Sequence, residues 1–234
     1  MKRIIKHLSA SSVTNWLTCP LMWWGGREKW PQEDLIAMQM GTVVHKAVEV
    51  HHHGGNAGQA LMELWGTMVT DRHARPDAIH DCAAAVALYQ ARYAPTPGAE
   101  MEQKFELEID GVPVPIIGYK DLREDGLVVD LKTTSWANAW SQKKVDESLQ
   151  MTTYLYHERQ KTRRNFIGEI RALVLRAEPI LNVFQTARTD NDYLRLRQLY
   201  RQAYEGMTEG TLEPKCAPSK CRYPQQCAMY RREK

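Results

Sequence analysis

The stretch that decides the fold occupies residues 118–132 and reads GYKDLREDGLVVDLK. At its centre, Asp125-Gly126 separates two runs of β-prone residues. Asp-Gly between such runs favours a hairpin with a two-residue type I′ turn, because both central positions of that turn need a positive φ. We therefore predict two antiparallel strands in which Glu124 pairs with Leu127.

This pairing brings acidic side chains together on one face of the sheet. Counting outward from the turn places Asp121 directly opposite Asp130, with Cβ atoms about 4.5–5.5 Å apart. Lys132 lies two residues beyond Asp130 and therefore points to the same face. Opposed like charges destabilise a sheet unless something compensates, and a bound cation does so. The pairing predicts a metal site; the alternative is a solvated hairpin whose charges face water.

A helix is predicted downstream of this hairpin. Leu149, Thr153 and Tyr156 recur at helical spacing. Gln150 and Tyr154 are four residues apart, which places them on one face of the same helix.

Another helix upstream carries a candidate metal ligand. Val44, Ala47 and Val48 form an apolar helical stripe, and His45 and Glu49 lie one turn apart beside it. The histidine is either an ordinary surface residue of an amphipathic helix or a metal ligand. A neutral imidazole suits Mn²⁺ better than Mg²⁺, which prefers carboxylates, carbonyls and water.

Three motifs occur in a fixed order along the chain. They are Gly-x-x-Asp at 118–121, Asp-x-Lys at 130–132 and Gln-x-x-x-Tyr at 150–154. Together they resemble the RecB-like branch of the PD-(D/E)xK nuclease superfamily, which includes the CRISPR adaptation exonucleases and the nuclease domains of the AddAB helicase–nucleases. The resemblance implies an α/β, restriction-endonuclease-like fold with a mixed β-sheet core flanked by helices. It also implies a metal-dependent deoxyribonuclease, an exonuclease of this type.

The resemblance further implies a role for each site residue. The implied ligands of Mn²⁺ or Mg²⁺ are His45, Asp121, Asp130 and the main-chain carbonyl of Leu131. Lys132 would stabilise charge that develops on the phosphate or position the attacking water. Gln150 and Tyr154 would either support Lys132 or contact the DNA backbone. Counting strand positions across a turn at Asp110-Gly111 places Glu102 on the face of the site. Because that count crosses a plausible bulge at Gly118, we leave Glu102 out of the predicted site.

Cysteines mark a second candidate metal centre. Four of the five lie toward the ends of the chain: Cys19, Cys216, Cys221 and Cys227. Without a secretory signal, such clustering favours metal binding over disulfides. The pattern resembles the iron–sulfur branch of the RecB-like exonucleases, although four residues separate Cys216 from Cys221 where the family often has two. It implies a structural [4Fe–4S] cluster that joins the termini, while a Cys₄ zinc site or free thiols remain alternatives.

Composition is compatible with one core, or with a core and a helical extension, in 234 residues. We expect a cytoplasmic protein without membrane association, because no apolar run approaches the length of a membrane span and the N-terminus lacks a signal peptide. The net charge of +3 is too mild to indicate nucleic-acid binding by itself. Trp136 and Trp140, just beyond Lys132, are either core residues or stacking platforms for unpaired bases.

We predict three regions along the chain. Residues 1–98 form a helical N-terminal cap, residues 99–210 the nuclease core and residues 211–234 the cysteine-rich tail. Besides the central hairpin and the Gln150 helix, the predicted helices are 9–18, 35–53, 56–73, 76–93 and 190–208, and the predicted strands are 105–109, 112–117, 166–175 and 180–186.

The preferred function is hydrolysis of phosphodiester bonds in DNA, with single-stranded DNA or single-stranded ends as substrate. The alternatives are a non-catalytic DNA-end-binding or adaptor module of the same fold and a zinc-stabilised interaction protein. The intact set of Asp121, Asp130 and Lys132 speaks against the non-catalytic module, which has no need of all three. A homo-oligomer, or a partner protein in a CRISPR or phage recombination pathway, is compatible with the sequence.

Overall fold

A computed structural model describes residues 2–32, 35–69, 75–215 and 221–232 of the chain. The helices formed by these residues are α1 (Ala10–Thr18), α2 (Pro20–Arg27), α3 (Leu35–His52), α4 (Ala57–Met68), α5 (Ala78–Arg92), α6 (Gln142–Asp146), α7 (Leu149–Thr162), α8 (Asp190–Glu209) and α9 (Pro224–Arg232). The strands are β1 (Glu100–Leu107), β2 (Ile116–Glu124), β3 (Leu127–Thr134), β4 (Ile167–Val174) and β5 (Ile180–Thr186). None of these helices is long and apolar enough to span a membrane.

The strands form one mixed sheet in the order β1-β2-β3-β4-β5. β2 and β3 are antiparallel, β3 and β4 are parallel, and β4 and β5 are antiparallel. Two parallel neighbours need a crossover connection, and α7 lies in the segment that joins β3 to β4. The predicted α/β class, with a mixed sheet flanked by helices, is therefore confirmed.

The central hairpin has the predicted pairing but a different turn. Glu124 pairs with Leu127, as counting from the two-residue loop required. Gly126 has a φ of 76°, whereas Asp125 has no positive φ. A type I′ turn needs a positive φ at both central residues, so the predicted turn type is wrong. The pairing is unaffected because the loop length is the same.

Proline sets the start of β2. The predicted strand at 112–117 is wrong in its first part, since the backbone of residues 112–115 is irregular and β2 begins at Ile116. Pro113 and Pro115 have no N–H to donate to a neighbouring strand. From Ile116 the strand continues without a break through Gly118 to Glu124.

Most predicted helices are present, and three short ones were missed. The missed helices are α2, α6 and α9. α2 begins with Pro20 at a position where a missing N–H costs nothing, and α6 begins after Ser141, whose hydroxyl accepts a bond from the Lys144 N–H. The helix predicted for 56–73 ends at Met68, and its last predicted residues fall within 70–74, outside the described part of the chain.

Two compact units divide the chain, and each is assembled from separate segments. The first contains Met1–Asp34, Phe105–Gly118 and Arg188–Lys234, and the second contains Leu35–Lys104 and Tyr119–Ala187. The division at residues 98 and 210 stays a prediction.

An apolar cluster in the second unit connects three helices to the sheet. Buried residues of α3, α4 and α5 pack there with Leu131 of β3 and Leu173 of β4. α7 also packs against β3 and β4. β3 is therefore fixed by packing along much of its length, which gives the residues it carries a rigid support.

The first unit is built around α1, α2 and the C-terminal helices. A capping box of Ser9 and Ser12 begins α1, and this helix contacts α8. A smaller buried cluster contains Cys19, Leu21, Met22, Tyr223 and Cys227. Two of the four cysteines predicted to bind the cluster are thus in one apolar core.

Candidate metal centre

α3 supplies the histidine of the site. Val44, Ala47 and Val48 are buried in the core of the second unit, which fixes the rotation of the helix. His45 then lies at the edge of the buried face, with its side chain 25% exposed. Its Nδ1 atom is 3.7 Å from Oδ1 of Asp121 on β2. The imidazole and the carboxylate are close enough to share one ion.

A third ligand atom completes this group. Among the described residues, His45, Glu102 and Asp121 each offer an atom, and these three atoms lie within 4.8 Å of one another. They come from α3, β1 and β2 respectively. One imidazole nitrogen and two carboxylate oxygens form a donor set that suits Mn²⁺ or Mg²⁺.

Glu102 was considered from the sequence and left out, yet the structure places it in this group. Its φ of 48° lies in the left-handed region, where a residue other than glycine costs about 1–3 kcal/mol and persists only if its surroundings impose it. Burial raises the pKa of Glu102, and the negative charge of Asp121 raises it further. A cation bound between the two carboxylates would relieve that repulsion.

Asp130 and Lys132 form an ion pair next to this group. Asp130 is 1% exposed, and Lys132 Nζ donates a 2.9 Å hydrogen bond to its Oδ1 atom. Nζ is also 2.9 Å from Oδ2, but without hydrogen-bond geometry, so Oδ2 is buried without a hydrogen-bond partner among the described residues. Buried polar atoms are rarely left in this state. The Oδ2 atom is available to accept a bond from a ligand or coordinate an ion.

Electrostatic interactions keep Lys132 charged and shift the pKa values of Asp121 and Asp130 in opposite directions. Burial raises the pKa of Asp130 to about 6, which the positive charge of Lys132 only partly offsets. Burial alone would lower the pKa of Lys132, but the charges of Asp130 and Asp121 outweigh it, and the pKa is raised. Burial alone would raise the pKa of Asp121, but His45, Lys132 and the Leu131 N–H together lower it.

α7 holds the lysine through a chain of hydrogen bonds. Lys132 Nζ donates to Gln150 Oε1 at 3.0 Å, and Gln150 Nε2 donates to the Tyr154 hydroxyl at 2.6 Å. The Tyr154 hydroxyl in turn donates to the main-chain carbonyl of Tyr119 at 2.5 Å. The sequence left two roles open for Gln150 and Tyr154: support of Lys132 or contact with the DNA backbone. In the structure Gln150 contacts Lys132, and Tyr154 contacts Gln150.

The main chain of β3 also contacts the site. The Leu131 N–H donates to Oδ2 of Asp121 at 2.6 Å, which orients that carboxylate. The role predicted for the Leu131 carbonyl stays a prediction. Nearby, a Cβ atom on Gly41 of α3 would lie 2.8 Å from the Thr133 hydroxyl. Glycine at this position therefore allows α3 to approach β3 closely, one turn before His45.

Three of the four predicted cluster cysteines lie in the described residues. Cys19 and Cys227 are fully buried, and Cys221 packs against the same apolar cluster. The Lys215 N–H donates to Cys19 Sγ and the Tyr223 N–H donates to Cys221 Sγ, both at 3.4 Å. Backbone N–H donors to sulfur are a feature of iron–sulfur sites, where they tune the cluster. Cys216 lies outside the described residues, and the fifth cysteine, Cys82, is buried in the second unit.

The mixed sheet thus presents the Asp-x-Lys strand β3 beside α3, the helix that carries His45. A family model of the PD-(D/E)XK nuclease superfamily matches residues 7–231. The chain therefore belongs to that superfamily, which uses divalent metal ions.

One solved structure has a similar fold. The chain is similar to the crystal structure of a "Putative exonuclease" from Eubacterium rectale, with a TM-score of 0.64 and 15% sequence identity over 96% of this chain and 88% of that one. It also matches the crystal structure of SSO0001 over 87% of this chain and 92% of that one, at 13% identity, but the TM-score of 0.39 is too low to support a comparison of folds. No curated protein sequence matches the chain.

Proposed function

We propose that the chain is a metal-dependent DNA exonuclease that acts on single-stranded DNA or on single-stranded ends. The observation that carries the proposal is the grouping of His45, Glu102 and Asp121 beside the ion pair of Lys132 with the buried Asp130. A solvated hairpin, the alternative reading of the charges, does not bury an aspartate to 1% exposure. An ion pair with only a structural role also does not explain why the carboxylate of Glu102 is held beside it by a backbone in the left-handed region.

The donor set fits a divalent cation. His45, Glu102 and Asp121 would hold it, and the unpartnered Oδ2 of Asp130 and the carbonyl of Leu131 are the further candidate ligands. Mn²⁺ or Mg²⁺ bound there supplies Lewis-acid polarisation of the scissile phosphate and a lowered pKa for a water nucleophile. The histidine favours Mn²⁺ of the two.

Residues of the chain contribute the rest of the chemistry. Lys132 remains protonated, so its ammonium group can stabilise negative charge that develops on the phosphate oxygens. Gln150 fixes the direction of the ammonium group, and Tyr154 fixes Gln150. Burial raises the pKa of Tyr154 far above its ordinary value, so its hydroxyl stays a hydrogen-bond donor at all physiological pH values.

An exposed aromatic ring supports the preference for single strands. Trp136 is 77% exposed and lies four residues after Lys132. A large ring left in water beside a nuclease site is available to stack on an unpaired base, which contributes roughly 1–3 kcal/mol. In duplex DNA the bases are already stacked on one another, so the ring would favour a single-stranded substrate.

The first unit is proposed to hold a [4Fe–4S] cluster on Cys19, Cys216, Cys221 and Cys227. The common apolar cluster of the three described cysteines and the N–H bonds to two sulfur atoms support it. Its role is proposed to be structural, because ligands from both ends of the chain would close a long loop. Four-cysteine zinc binding is the alternative with the same ligands.

Degradation of end-labelled DNA tests the nuclease proposal. Linear single-stranded DNA, circular single-stranded DNA and linear duplex DNA are incubated with the protein and Mn²⁺ or Mg²⁺. We expect loss of the linear single strand, little loss of the circle, and no activity with EDTA or with Lys132→Ala. Equal digestion by wild type and Lys132→Ala would show that the site is wrong, and rapid loss of the circle would show an endonuclease.

A further inference from the structure

A cavity of about 570 Å³ lies in the second unit and begins one residue beyond Lys132. Its walls come from the start of α3, the start of α5 and the segments that follow β3 and β4. Residues from each of these walls include Ala37, Met40, Asp77, Thr134, Ser135 and Leu175. Its volume is within the range of about 300–1,000 Å³ that small-molecule pockets occupy.

The cavity and the metal centre share one helix, α3. Ala37, Gly41 and His45 recur every four residues and therefore share one face of α3. Ala37 lies about 12 Å from His45 along the helix axis, at 1.5 Å rise per residue. Thr133 lines the cavity, and its hydroxyl faces Gly41 of α3, on the side of β3 opposite to Lys132. The cavity therefore follows α3 away from His45, in the direction that the next nucleotide of a strand bound at His45 would take.

The chemistry of the walls distinguishes between parts of a nucleotide. Ile36, Ala37, Met40 and Leu175 provide an apolar surface. The charged groups largely compensate one another, because Arg75 forms an ion pair with Asp81 and its Nε atom lies 3.7 Å from Asp77. A balanced, partly apolar cavity suits a nucleobase better than an isolated phosphate. The carboxylates of Asp77 and Asp81 can accept hydrogen bonds from an exocyclic amino group.

The rim carries the groups that suit a sugar–phosphate. Ser135 and Arg176 are exposed there, and the Thr134 hydroxyl accepts a 3.1 Å bond from the Trp136 N–H. That bond also fixes the first residues of the loop that presents Trp136. The rim therefore connects the cavity to the proposed stacking residue.

We propose that this cavity binds the terminal nucleoside of a DNA strand whose scissile phosphate lies at the metal centre. The proposal rests on the proposed nuclease function and specifies it further. Because the cavity would hold one terminal nucleoside, cleavage would occur one nucleotide from the strand end and release a nucleoside monophosphate. The base contacts the apolar wall of α3, and Ser135 and Arg176 contact the sugar–phosphate.

Filling the cavity tests the proposal. Ala37 is exposed on α3, so Ala37→Trp places a large ring in the cavity without disturbing the core. Ala91→Trp, at an exposed position of α5, is the matched control. Wild type and both variants are titrated by calorimetry with 2′-deoxyadenosine 5′-monophosphate and separately with inorganic phosphate, in the presence of Mg²⁺.

We expect nucleotide affinity to fall about tenfold or more in Ala37→Trp, and to be unchanged in Ala91→Trp. Inorganic phosphate should bind wild type more weakly than the nucleotide does. In digests, Ala37→Trp should release mononucleotides more slowly than Ala91→Trp. Equal nucleotide affinity in wild type and Ala37→Trp would overturn the proposal, as would phosphate that binds as tightly as the nucleotide.

Two further outcomes separate this proposal from the nuclease function. Wild type that binds the nucleotide, with loss in Ala37→Trp, but digests no DNA would refute the nuclease function and support the cavity. Wild type that digests linear DNA with no effect of Ala37→Trp on affinity or products would refute the cavity alone. If Ala37→Trp does not fold, Arg176→Ala at the exposed rim replaces it, and unchanged affinity in that variant overturns the proposal.

Discussion

Gln150 Oε1 accepts a hydrogen bond from Lys132 Nζ at 3.0 Å, and this bond connects α7 to the candidate site. Without it the ammonium group keeps its charge but loses one of the contacts that fix its direction. Loss of such a supporting contact typically costs about 10–100-fold in activity or metal affinity. We expect Gln150→Ala to lower kcat by that factor and leave the Mn²⁺ affinity unchanged, and Lys132→Ala to abolish activity. Gln198→Ala, at an exposed position of α8, is the control; a Gln150→Ala enzyme as active as this control would exclude the positioning role.

Substitutions at Glu102 can distinguish a metal ligand from a residue that only supports the fold. Glu102→Gln should weaken Mn²⁺ binding measured by calorimetry, because a carboxylate is replaced by an amide, while Glu106→Gln on the exposed side of the same strand should not. Glu102→Gly should lose Mn²⁺ affinity as well, yet unfold at the same or higher urea concentration, because glycine adopts a φ of 48° without strain. Mn²⁺ affinity that is indifferent to Glu102→Gln would remove this residue from the metal centre.

Lys120 and Glu158 form an ion pair in which neither side chain is exposed. Burial alone would raise the pKa of Glu158, but bonds from His157, Lys120 and Arg123 outweigh it and lower the pKa to about 2. Because the folded pKa lies below the ordinary value, the ionised carboxylate stabilises the fold fully above about pH 4.5, and this contribution is lost as the pH falls toward 2.

Glu158→Gln should therefore lower the free energy of unfolding by about 3–5 kcal/mol at pH 7, since it removes the carboxylate that balances the buried charge of Lys120. The difference from wild type should be smaller at pH 3.5. Urea unfolding at both pH values measures this, with Glu147→Gln at a mostly exposed position as control. A difference that is as large at pH 3.5 as at pH 7 would contradict the assigned pKa.

The cysteine cluster can be tested independently of activity. Protein purified without oxygen should be brown, with absorbance near about 400 nm and about four iron atoms per chain. Cys221→Ser should lose the colour and unfold at a lower temperature, whereas Cys82→Ser, in the core of the second unit, should keep the colour. Colourless wild type that contains zinc would establish the alternative metal, and unaltered thermal stability in a colourless Cys221→Ser protein would refute a structural role.

Trp136 provides a test of substrate preference. In a Lys132→Ala background, which prevents digestion, Trp136→Ala should weaken binding of single-stranded DNA about 5- to 150-fold, the equivalent of one stacked base. Duplex binding should change little. Met62→Ala, which removes an exposed apolar side chain from α4, is the control. Equal loss on single-stranded and duplex DNA would show that Trp136 does not read unpaired bases.

The central hairpin shows how far local pattern determines structure. A two-residue turn between β-prone runs was enough to predict the pairing of Glu124 with Leu127, and the paired residues extend to Leu122 and Val129. The direct opposition of Asp121 and Asp130 stays a prediction. The turn type did not follow, because Asp-Gly is compatible with more than one backbone conformation and packing decides between them. The superfamily and the mixed sheet were predicted correctly from the ordered motifs.

Glu102 marks the point at which the count was not followed. The count placed it toward the site, but a plausible bulge at Gly118 kept it out of the predicted site, and the irregularity in the backbone lies instead at Glu102, which has a positive φ. Nothing in the sequence letters around Glu102 signals this, since glycine or asparagine would be the usual residue there. Short helices such as α6 were missed for a related reason, because five residues give too little periodicity to recognise.

The close approach at Gly41 has a consequence for variation at this position. Alanine there would keep every charged and ligating group of the site, yet its methyl group would meet the Thr133 hydroxyl at 2.8 Å. Either the Thr133 side chain must turn away or one of the two elements must move by several tenths of an ångström, and a movement of α3 would carry the imidazole of His45 with it. Where α3 moves, a single methyl group without any chemistry of its own changes the distance between the proposed metal ligand and the proposed catalytic lysine.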